Sequence, residues 1–87
     1  MSFTRGQVVR SLAGRDKGSF LVVVAVGKTT LSLCDGKARP LHRPKQKNQK
    51  HIGNTNHRLT EEQMKTNKQI RHALRDILGA GQPQGGD

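Results

Sequence analysis

Apolar positions cluster in two parts of this chain, and the clusters have different periods. Gln7-Val8-Val9-Arg10-Ser11-Leu12 is a short β-branched stretch with partial alternation. Phe20-Leu21-Val22-Val23-Val24-Ala25-Val26 is continuous, too short for a typical helix and rich in Val, which predicts a buried strand. Thr29 to Cys34 alternates, with Leu31 and Leu33 on one face. Glycine breaks these stretches. Gly14-Arg15-Asp16-Lys17-Gly18 predicts a loop and Gly27-Lys28 a tight turn. Asp35-Gly36 predicts a hairpin, because a type I′ turn needs positive φ at both central residues. Lys37 to His42 would then return as a strand, at an edge or distorted where Pro40 lacks its N–H.

Arg43 to Lys50 (RPKQKNQK) has no apolar residue to bury and predicts a basic loop or arm. Lys50 to Gly53 would supply a brief closing strand. The second cluster has the helical period. Ile70, Ala73, Leu74, Ile77 and Leu78 make a stripe over the second half of a helix expected across 59–79. Thr60 and Gln63 form a capping box, with Leu59 and Met64 placed as a hydrophobic staple. Glu61 and Glu62 complement the helix N-terminus, Arg71 and Arg75 its later turns, and Gly79 is a natural stop. Upstream the same face carries Gln63, Thr66 and Asn67, so the helix is expected to dock only by its end. The sequence therefore divides into a β-strand domain over 1–53, a basic linker over 54–58, the helix, and a disordered tail over 80–87.

Charge adds the functional direction. Of 87 residues, 16 are Lys or Arg and 6 are Asp or Glu, a net charge of +10. Only 31% are hydrophobic, which fits one small domain with tails. Seven cations and no acid lie between Gly36 and Arg58. Such an excess favours a polyanionic partner and opposes self-association, so the chain is expected to be a monomer when free. The single cysteine, Cys34, excludes an internal disulfide and points to a reducing compartment. No apolar signal segment opens the chain, and its longest apolar run is about a third of a membrane span. A cytoplasmic protein with no membrane partner is expected.

Gly6-Gln7-Val8-Val9, Gly14-x-Asp16-Lys17-Gly18 and the strand Leu21 to Val26 together resemble the KOW motif, with Gly14 as its central glycine. Asp35-Gly36-Lys37, Arg39-Pro40-Leu41 and the run from Lys45 to His51 extend the resemblance to about Ile52. The chain is similar there to small bacterial KOW-domain proteins, themselves similar to eukaryotic-type large-subunit ribosomal proteins. The resemblance implies a five-stranded SH3-like barrel over about Gly6 to Ile52. It also implies a role in translation: binding ribosomal RNA, with ribosomal proteins as further partners. The helix lies outside it.

Loop chemistry points the same way. Glycines without Cβ atoms let backbone N–H groups approach phosphate oxygens. The expected RNA-contacting residues are Arg10, Gly14, Arg15, Lys17 and Gly18, with Lys37, Arg39, Arg43, Lys45, Lys47 and Lys50 gripping phosphates. Phe3 and Phe20 are the only aromatics, so folded RNA read by shape is expected over single strands stacked on rings. No cofactor is expected. Gly27-Lys28-Thr29-Thr30 looks like the end of a phosphate-binding loop, but Val22 stands where that loop needs glycine. His42, His51, His57 and His72 have no metal-ligand spacing with Cys34. No catalytic constellation stands out, so the protein is read as non-enzymatic. The alternative is a protein-interaction adaptor, docking through Ile70, Leu74 and Ile77 on a transcription or translation complex.

Overall fold

The computed structural model describes residues 2–80. Its fold is mainly β: five antiparallel strands and one C-terminal helix. The strands are β1 (Gln7–Ser11), β2 (Phe20–Val26), β3 (Thr30–Cys34), β4 (Lys45–Asn48) and β5 (Ile52–Arg58). They lie in the order β4-β3-β2-β1-β5. The edge strands β4 and β5 are therefore consecutive in sequence, joined by a single 3-10 turn at Gln49–His51. Four residue steps reach about 14 Å at most. The edges of a flat five-stranded sheet would be about 19 Å apart. The sheet must curl on itself, which makes a half-open barrel.

Inside the curl lie Phe3, Val9, Leu21, Val23, Leu31, Leu33 and Ile52. The alternate positions Val8, Val22 and Cys34 face outward, yet they too are fully buried. They meet Leu59, Met64, Ile70, Ala73 and Leu74, with Phe20, Val24 and Ile77 at the margin. The apolar run of β2 is thus explained over residues 20–24: Leu21 and Val23 fill the barrel, and Phe20, Val22 and Val24 lie toward the helix, while Ala25 and Val26, past a register shift, are exposed. Burial, with Asp35 adding to it, pushes the Cys34 thiol up to about 11.

Several sequence expectations are corrected. The fourth strand is Lys45–Asn48, within the stretch expected as a basic arm, and 37–42 is not a strand. Asp35 causes this: its Oδ1 accepts from Lys37 N and Arg39 N, both at 2.8 Å, and holds a loop instead of a two-residue hairpin. The region expected as a linker, 54–58, is strand β5 together with residues 52–53. The expected capping box does form, with Gln63 N donating to Thr60 Oγ1 at 3.1 Å and Thr60 N to Gln63 Oε1 at 2.9 Å. It caps only a 3-10 turn, Glu62–Met64. The helix α1 runs Asn67–Ala80 and begins at a second cap, where Gln69 N donates to Thr66 Oγ1 at 3.1 Å. It continues past Gly79, so that glycine does not end it. The expected tail lies outside the described residues beyond Ala80.

The helix docks along most of its length, not only by its end. Gly36, at φ +77°, lets its N-terminal turn settle on the 35–44 loop, because a Cβ there would collide with Asn67 O. Asn67 Oδ1 accepts from Leu41 N at 2.7 Å. Among the described residues, no helix is long and apolar enough to cross a membrane.

Candidate nucleic-acid interface

β1 and β3 end at the same end of the sheet, since Arg10 pairs with Phe20 and Cys34 with Val22. The loops 12–19 and 35–44 both leave from that end. Curling brings the 3-10 turn beside the first of them, where Leu12 N donates to His51 O at 2.9 Å. The loop 12–19 closes on itself through Lys17 N to Gly14 O at 3.2 Å, Gly18 N to Ser11 O at 2.8 Å and Ser19 N to Asp16 O at 2.9 Å. Gly14 and Gly18 sit at φ +87° and +90°, where an L side chain is strained. Arg15 and Lys17 project from this frame and are exposed.

Asp16 faces the other way. Its Oδ1 accepts from Lys47 Nζ at 2.6 Å and from Ser11 Oγ at 2.9 Å. Lys47 also donates to Ala13 O at 2.6 Å. In the β3–β4 register Lys47 stands opposite Leu31, so it starts on the inner face of β4 and crosses the open side of the barrel to reach the loop. The pair is largely withdrawn from water, with 10% of the Lys47 side chain and 19% of the Asp16 side chain exposed. Asp16 Oδ2 is buried with no hydrogen-bond partner. The hydrogen bond from Lys47 outweighs that desolvation and holds the Asp16 carboxyl below its usual range. β4 and β5 are not hydrogen-bonded to each other, so this clasp ties β4 to the β1–β2 side.

The residues expected to contact RNA therefore separate into groups. Arg15, Lys17 and Lys50 are exposed around one mouth, with Lys45 half-buried opposite Leu33 on the inner face of β4. Lys47 is turned inward and spent on Asp16, so it is a structural cation. Arg10 is exposed on the outer face of β1, beside Gly53. Lys37, Arg39 and Arg43 ride on the 35–44 loop, next to the helix N-terminus. Sequence reasoning missed the Asp16–Lys47 pair because 31 residues separate its members. The signal was Lys47 itself, one residue from Gln46 in an alternating strand with no apolar member.

Among the described residues, no group of three or more His, Cys, Asp or Glu is placed to hold a metal ion. Compared with known proteins, the chain matches no family model and no curated protein.

Proposed function

We propose that this protein binds structured RNA through phosphate contacts at the mouth of the barrel. One observation carries the reading. The only carboxylate in the 12–19 loop is consumed by Lys47, leaving Arg15 and Lys17 to set the charge of a glycine-framed surface beside Lys50. Such a surface releases counterions when it meets a phosphate backbone. Lys45 extends it, and Lys37, Arg39 and Arg43 widen it along the same end of the sheet. The glycine-framed N–H of Gly14 adds an uncharged donor, while that of Gly18 is already given to Ser11 O. The resemblance of Gly6 to Ile52 to KOW proteins narrows the RNA to ribosomal RNA, as a ribosomal or ribosome-associated protein, and the single cysteine suits a cytoplasmic setting.

The adaptor reading draws no support from the helix. Of the three residues it names, Ile70 and Leu74 are buried on the protein's own barrel, and Ile77 is half-buried beside them. Cross-linking in growing cells tests the two readings together. RNA cross-links through residues 14–18, in fractions holding large ribosomal subunits, are the expected result. Cross-links to protein alone, through 67–80, would overturn it.

A further inference from the structure

Beyond the mouth, the outer face of β1 and β5 forms an open groove of about 460 Å³ against the last turns of the helix. Its size is in the range of small-ligand sites. The apolar lining is Leu12, Phe20, Ile77 and Leu78. The opposite wall is the segment Gly53 to His57, and Arg10 lines it as the cation. No Asp or Glu lines the groove.

The polar wall has been built outward. Between Gln7 and Val9 the β1–β5 register slips, because Gln7 pairs with Arg58 but Val9 with Asn54. The extra residues form a bulge. Gln7 Nε2 donates to Thr55 O at 2.7 Å, and Thr55 Oγ1 donates to Val8 O at 2.6 Å. Those bonds fix the bulge from its inner side and leave Asn56 and His57 exposed, with no side-chain hydrogen bond to any described residue. Bulges re-aim side chains in this way. Arg10 likewise makes no ion pair among the described residues. The groove borders the basic mouth at Leu12, which both lines it and donates its N–H to His51 O in the 3-10 turn.

We infer that this groove receives one unpaired nucleotide of the RNA held at the mouth. The inference rests on the RNA reading above. An apolar floor suits the face of a base, an amide and an imidazole suit its edge, and a cation without a carboxylate nearby suits the attached phosphate. The pairing edge of a base-paired nucleotide is already bonded to its partner, which favours an unpaired one. Helix residues build one side, so the site depends on the part of the chain outside the KOW resemblance.

The test uses the full-length protein and hairpin RNAs with a common stem. One is fully paired, and four others carry a single unpaired A, C, G or U. At least one bulged hairpin should bind about tenfold more tightly than the paired one, in the range of stacking on a protein surface. The N56A/H57A double variant removes only exposed side chains. It should abolish that preference and hold the affinity for the paired hairpin within twofold. A preference that survives the double variant overturns the inference. So does equal affinity for all five hairpins that still falls with R15E/K17E; that result leaves the RNA reading intact. Failure of every hairpin to bind overturns both.

Discussion

Asp16 and Lys47 determine how the cations beside them are presented. Removing either partner leaves a poorly hydrated charge. Lys47→Met should lower stability by about 2–4 kcal/mol, near the range for broken buried pairs, as measured by denaturant unfolding. The pair also has a pH signature. The folded-state carboxyl of Asp16 is below its ordinary value of 3.8. Its contribution is therefore complete above the unfolded value and is lost as pH falls through the lower folded one. Asp16→Asn should flatten the acid limb of the stability profile below about pH 4 and leave the slope near neutrality unchanged. A second contrast isolates two glycines. Gly18→Ala meets nothing within 4 Å and bears only backbone strain at φ +90°, about 1–2 kcal/mol. Gly36→Ala adds a collision with the helix backbone and should cost clearly more, with loss of helix docking visible as faster hydrogen exchange over 67–78. Equal effects of the two substitutions would contradict the packing described here.

At the scale of elements, the helix is the outer wall of a second core. Ile70→Ala should cost about 2–5 kcal/mol, as for other fully buried large-to-small changes. Truncation after Arg58 would uncover Val8, Val22 and Cys34, and the remaining barrel should unfold or associate instead of keeping its affinity. Sedimentation and circular dichroism of residues 1–58 would show this. Much of this level was legible in the chain. The three apolar strands follow from their β-branched or alternating patterns, and the uninterrupted run of β2 already read as a buried strand. β4 was not legible, because its inward positions are Lys45 and Lys47, whose stems line the barrel while their charges reach its mouth. The helix start was misplaced because two T-x-x-Q sequences stand in tandem, Thr60 to Gln63 and Thr66 to Gln69, and each caps its own turn. The Asp35-Gly36 signal failed because the aspartate captured its own backbone.

For the whole molecule, the net charge of +10 is not spread evenly over the fold. The exposed ion pair of Arg5 with Glu61, at 2.9 and 3.0 Å, lies away from the mouth and is worth little to stability. The mouth, by contrast, collects cations from a loop, a strand and a 3-10 turn that only the curled sheet brings together. The candidate site was legible as a list of cations but not as a place. Long-range pairing decided which of them face solvent, and it removed Lys47 from the list. The groove was not legible at all, since it needs β1, β5 and the helix in one position.

The central claim is that this mouth grips an RNA backbone, and a salt titration of binding to a folded ribosomal RNA fragment tests it most directly. With about five phosphates neutralised, log K should fall against log[salt] with a slope of roughly −3.5 to −4.5. R15E/K17E should make that slope shallower by about 2 and weaken binding at low salt, with the fold unchanged by circular dichroism. A slope near zero, or one that the double charge reversal leaves unaltered, would contradict the account.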